Sequence, residues 1–175
     1  MLTLTQSNTF TGGVNLNAGT VRVGNAAALG SGDIALAAGT TLATAGATPR
    51  TVSNNFSATG TATFGDSVGT GALTVSGNGT LLADTNVTTV SDLVLSGSLG
   101  GAYKLTKSGS ARLTLSGTGT FTSLDVTGGD VTVSGGVAIA NNAAVKVDSL
   151  GSLTLSASET VGSIEGAGNI KLGAS

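Results

Sequence analysis

The segment Leu2 to Val23, LTLTQSNTFTGGVNLNAGTVRV, returns later as Leu113 to Val133, LTLSGTGTFTSLDVTGGDVTV. A chain that repeats its own pattern must fold into something that repeats in space. Laid side by side, Leu2 and Leu4 fall on Leu113 and Leu115, Phe10 on Phe121, Val14 and Leu16 on Leu124 and Val126, and Val21 and Val23 on Val131 and Val133. The second copy is one residue shorter, and the loss falls where Gly12-Gly13 becomes Ser123 alone. A deletion confined to a turn, with the apolar alternation kept on both sides, is what strands joined by loops tolerate. The copies lie near residues 2–44 and 101–135.

Alternation of apolar and polar residues in short runs continues along the whole chain: Ile34 and Leu36, Leu73 and Val75, Leu93 and Leu95, Val137 and Ile139, Val145 and Val147, Leu153 and Leu155, Ile170 and Leu172. This is the period of a strand, and no stretch holds a helical period for long. The residue between the apolar pair is often Thr, as at Thr3, Thr74, Thr114, Thr132 and Thr154, so the pair points inward and the hydroxyl outward. Strands of three to five residues are too short for a sandwich of ordinary strands. Turn formers follow in quick succession, among them Gly30-Ser31-Gly32, Gly77-Asn78-Gly79 and Gly135-Gly136, and these reach the sharp corners of a coil at low cost. With about three strands and ~20 residues per turn, the expected fold is an all-β parallel β-helix, or β-solenoid. It would have roughly eight rungs spaced ~4.8 Å apart, a rod of about 40 Å.

The chain, 1–175, reads as one β-helix segment without linker or charge run. Pro49 falls in a loop, and the stretch Thr51 to Leu99 keeps the alternation but matches the Leu2 pattern less well, with Phe56 and Phe64 filling space. No amphipathic capping helix is evident at either end, and Met1 stands directly before a strand. The expectation is a fragment of a longer rod whose open edges promote end-to-end self-association.

Composition narrows the chemistry. Hydrophobic residues make up 39% of the chain but aromatic ones only 3%, so the core is aliphatic. A net charge of -2 with only seven Lys and Arg does not suit a surface that tracks phosphates, and no nucleic-acid partner is expected. With neither Cys nor His, disulfides, thiolate metal sites and imidazole bases are excluded. The first residues, MLTLTQS, carry no secretory signal, and no window approaches the ~20 apolar residues of a membrane span.

At this level of detail the residues carry a family likeness. Leu2 to Leu42, with NTFTGG at Asn8 to Gly13, NAGTVRVGN at Asn17 to Asn25 and ALGSG at Ala28 to Gly32, resembles the autotransporter-associated β-strand repeat, also called the passenger-associated transport repeat. Tyr103 to Val133 resembles it again through KLTKSGSARLTLSG at Lys104 to Gly117, departing at TFTSL, and SIEGAGNIKLGAS looks like the strand-turn-strand that follows such repeats. The resemblance implies a right-handed parallel β-helix in the passenger of a bacterial type V secretion protein, exposed at the cell surface or secreted. It also implies a C-terminal outer-membrane β-barrel in the same parent chain. The function expected from it is a non-catalytic extracellular stalk that supports export by vectorial folding and presents distal regions. The alternative is an adhesin that itself binds a host receptor, a glycan or a like rod on another cell.

No catalytic, cofactor or metal residue is expected. A polysaccharide-cleaving site needs two carboxylates at a fixed separation. The acids here are scattered, and the pairs Asp125 and Asp130, and Glu159 and Glu165, read as solvated loop residues. GDSVGTG at Gly65 to Gly71 is not a calcium-wrapping nonapeptide, and it and GAG at Gly166 to Gly168 read as turns. Lys104, Lys107 and Arg112 form the one local gathering of positive charge, expected to be solvated beside a strand; the sequons at Asn55, Asn78 and Asn86 read as chance. Thr ladders on a flat β-helix face are the pattern of ice-binding proteins, but Thr3, Thr74, Thr114, Thr132 and Thr154 look single and unevenly spaced, as ordinary surface Thr would be.

Overall fold

Short runs in which every second residue is aliphatic can bury one face only by stacking on runs like themselves. A computed structural model, which describes residues 1–173, shows this arrangement. Twenty-one strands, numbered in chain order, form three parallel sheets around one core. The first sheet has nine strands: β1 (Leu2–Leu4), β3 (Thr20–Val23), β5 (Thr40–Thr44), β8 (Thr61–Phe64), β11 (Thr85–Thr89), β14 (Lys104–Ser108), β16 (Ser123–Val126), β18 (Ala144–Val147) and β20 (Ser163–Gly166). The second has five: β2 (Val14–Leu16), β4 (Ile34–Leu36), β7 (Phe56–Ala58), β10 (Gly79–Leu81) and β13 (Leu99–Gly100). The third has seven: β6 (Arg50–Val52), β9 (Leu73–Val75), β12 (Leu93–Leu95), β15 (Leu113–Leu115), β17 (Gly129–Val133), β19 (Gly151–Leu155) and β21 (Asn169–Leu172).

The chain visits the first, third and second faces in turn, so the fold is a parallel β-solenoid. Its nine-stranded sheet gives nine coils where the sequence suggested eight, because eight steps of about 20 residues from β1 end on a ninth strand, β20, which begins a further coil. Inward residues stack directly. Leu73 pairs with Leu93, Leu93 with Leu113, Leu113 with Val131 and Val131 with Leu153. In the second sheet Ile34 pairs with Phe56 and Phe56 with Gly79. The glycine is needed there, since a Cβ at Gly79 would collide with the Phe56 ring and with Leu99. Phe56 and Phe64 are both buried, as space-fillers should be.

Three strands per coil holds only in the middle. In the first two coils a loop replaces the strand on the third face, and these loops stack on each other: Asn8 N–H donates to the Ala27 carbonyl at 3.0 Å and Ser31 N–H to that of Phe10 at 3.1 Å. After β13 the loop moves to the second face, where Gly119 N–H donates to Val137 at 2.9 Å. Val137 to Ile139, read as a strand from its alternation, belongs to such a loop, with Val137 exposed and Ile139 buried. Coils with a strand on all three faces are those between residues 40 and 100, which is why that stretch matches the Leu2 pattern poorly.

Corners are fastened by side chains. The Oδ1 atoms of Asn55, Asn78, Asp84 and Asp92 each accept, at 3.0 Å, the backbone N–H of the residue above them in the next coil: Asn78, Ser98, Lys104 and Arg112. This is the same bond an N-cap residue makes to a helix, turned into a link between coils. At the two ends, side chains at inward positions meet solvent, with Leu2 52% and Leu172 81% exposed.

Candidate functional site

An interior of aliphatic side chains and three phenylalanines, Phe56, Phe64 and Phe121, leaves chemistry to corners, faces and the few polar groups held inside. The acids are distributed rather than convergent. Asp125 lies on β16 and Asp130 on β17, on different faces of the coil. Glu159 accepts the N–H of Ile139 at 2.8 Å from its loop, while Glu165 is exposed on β20. Asp33 receives a bond from Asn55 Nδ2 at 3.2 Å beside an open groove of about 410 Å³ outside the second sheet, lined by Thr11, Asn15 and Ser57. Asp66 closes the Gly65 to Gly71 turn by accepting the N–H groups of Val68 and Gly69 at 2.9 and 2.6 Å, and pairs with Arg22 Nε at 2.9 Å. Partial burial pushes its pKa up, but these donors and the guanidinium outweigh it and hold the carboxyl below its ordinary value. Among the described residues no three His, Cys, Asp or Glu gather as a metal site would require.

The positive gathering dissolves in three dimensions. Lys104 is half-buried, its Nζ 3.6 Å from Asp125. Arg112 sits at a corner, its side chain at the surface. Lys107 is not solvated: it is fully buried, in an inward position between Val87 and Val126. Its Nζ donates to the carbonyls of Gly109 and Gly128, both at 3.0 Å, and so joins two successive corners. Burial lowers its pKa to about 8, against the opposing pull of Asp130 and Asp92. The sequence carried the signal, because Lys107 stands two residues after the inward Leu105.

The sequons are spent on structure: Asn55 and Asn78 hold corners, and Asn86 Oδ1 accepts from Ser108 at 2.9 Å.

The Thr residues are where the sequence reading changes most. Thr3 stands apart on β1, but Thr51, Thr74, Val94, Thr114, Thr132 and Thr154 pair one above the next in a single outward column of the third sheet. Beside it runs a second column that linear inspection missed. The backbone N–H groups of Ser76, Ser96, Ser116, Ser134 and Ser156 donate to Val52, Val75, Leu95, Leu115 and Val133, at 2.8 to 3.2 Å, and so set these serines at one height in five successive coils. The exterior of the third sheet is a two-column hydroxyl array, repeating at about 4.8 Å along the rod and about 6.6 Å across it. Ser76 Oγ bonds weakly to Val52 O at 3.3 Å; the others make no protein hydrogen bond among the described residues.

No family model, curated protein or solved structure matches the chain.

Proposed function

We propose that the chain is a non-catalytic, extracellular stalk segment of an autotransporter-like passenger, whose coils assist export by folding one upon another. The observation that supports this most is that nearly every pairing joins one coil to the next, so that folding can advance along the rod without waiting for distant parts of the chain. The likeness of Leu2–Leu42 to the passenger repeat points the same way, and with no Cys no disulfide can lock the chain before transit.

The test is surface display of the full-length parent protein, read by protease accessibility on intact cells, after deletion of residues 113–152. That deletion removes two whole coils and joins Arg112 to Leu153, which occupies the same place on the third sheet as Leu113. Display should collapse if folding coils drive export. Display that persists while adhesion disappears would overturn the reading in favour of the second one, an adhesin for a host receptor, a glycan or a like rod. Of these the hydroxyl array on the third sheet favours a like rod, whose coils repeat at the same spacing.

A further inference from the structure

We propose that the exterior of the third sheet binds ice. The first sheet also stacks hydroxyls, Thr20, Thr41, Thr63, Thr88 and Ser108, but Ser108 is bonded there to Thr88 and Asn86. What singles out the third sheet is a two-column array whose hydroxyls, Ser76 apart, bond to no protein group among the described residues. Thr51, Thr74, Thr114, Thr132 and Thr154 stand in one column, interrupted by Val94, and the serine column runs parallel to it through five coils. Thr is stiff at χ1, so each hydroxyl and methyl is held in a fixed direction. Beneath them Val75, Leu95, Leu115 and Val133 are buried and pack the strands into a rigid floor.

A surface of this kind selects its occupant. The hydroxyls are left to solvent, so each can hold a water, and waters bridging fixed hydroxyls are nearly as favourable as direct bonds. Waters anchored at about 4.8 Å in one direction and about 6.6 Å in the other form a two-dimensional net rather than a cluster. The oxygen planes of ice repeat on this scale in both directions, whereas a globular partner offers no such repeat. The two columns contain no charged residue from Thr51 to Ser156, so no salt-dependent attraction is built into them. Asp92, Arg112 and Asp130 stand to one side, Arg50 lies at the start of β6, and Lys171 continues the Thr column only beyond Thr154. The array carries no aromatic residue on which a sugar ring could stack. Inspection along the sequence hides the pattern because coils differ in length, so that Thr114, Thr132 and Thr154 are unevenly separated yet vertically aligned.

The experiment uses the full chain in a nanolitre osmometer, with ice as the probe, reading thermal hysteresis and the shape of the crystal. Hysteresis with faceted crystals is expected. Thr114→Tyr combined with Thr132→Tyr, which puts bulk at the centre of the array, should abolish it. Thr63→Tyr, at an outward position of the first sheet, should leave it unchanged. Should the tyrosine pair unfold the coil, Thr114→Lys with Thr132→Lys replaces it, since Lys171 already occupies this column above Thr154. The proposal is overturned by zero hysteresis in the unaltered chain. It is equally overturned by hysteresis that survives in the folded third-sheet variants, or by its loss in Thr63→Tyr. Retention of the chain on crystalline cellulose without any effect on ice would assign the face to a polysaccharide and also overturn it.

Discussion

The first two coils and the last three follow one sequence pattern and build it on different faces. In the first, Leu2 and Leu4 lie in the first sheet, Phe10 in a loop on the third face, and Val14 and Leu16 in the second sheet. In the later copy, Leu113 and Leu115 lie in the third sheet, Phe121 in a loop on the second face, and Leu124 and Val126 in the first sheet. The copy is displaced by one face of the coil. The pattern therefore encodes an order, strand then loop then strand then strand, and is indifferent to where around the rod the order begins. All three faces make the same demand, an inward aliphatic pair about a polar residue.

The sharpest way to break this equivalence is the aligned pair of phenylalanines. Phe121 is fully buried and Phe10 is 41% exposed, because Phe121 has coils on both sides and Phe10 belongs to the terminal coil. Phe121→Ala should cost about 4 kcal/mol, and Phe10→Ala within about 1 kcal/mol, measured by urea unfolding. Equal costs would mean that the two loops are packed alike.

The next contrast is electrostatic. The later region begins just above a buried ammonium at Lys107, and the first two coils contain no counterpart. Below pH 8 Lys107 is charged in both the folded and the unfolded chain, and the burial penalty is fully present. Between about 8 and the ordinary value of 10.5 the unfolded chain holds the extra proton, so stability rises with pH, by about 3 kcal/mol in all, and is level above that. Unfolding followed from pH 7 to 11 should show this rise, and Lys107→Met should remove it. A flat profile in the unaltered chain would show that the amine is reached by water.

The smallest effect is expected from the ion pair that ties the early coils to the middle. Asp66 has a lowered pKa when folded, so its contribution is present above the unfolded value of 3.8 and is lost as pH falls through the folded one. Both side chains reach solvent, so Arg22→Ala should cost under about 1 kcal/mol at pH 7 and less at pH 3.

Most of the architecture was legible because alternation is a local signal. Leu73 with Val75 and Leu153 with Leu155 declare inward pairs without reference to anything distant. What was not legible depended on distance along the rod. Which face a strand joins is decided by loop lengths in the preceding coils, so Leu2 and Leu113 looked equivalent. The same reason concealed the array: Thr was visible as an outward residue and the Ser two places on was not singled out, and their alignment exists only after coils of unequal length have closed. Lys107 failed differently. Its charge suggested solvent while its spacing from Leu105 placed it inside, and the spacing prevailed because two corner carbonyls were there to receive the amine.

The direction of the hydrogen bonds has a mechanical meaning. Strands run across the rod, and the bonds between them run along it, so a pull on the two ends loads every interface in series and in tension, never in shear. Such a rod gives way at its weakest interface and sheds one coil at a time. Each coil releases about 60 Å of slack, the extended length of ~20 residues less one strand spacing. Under load the molecule behaves as a shock absorber, lengthening in small steps while the coils still stacked keep their shape.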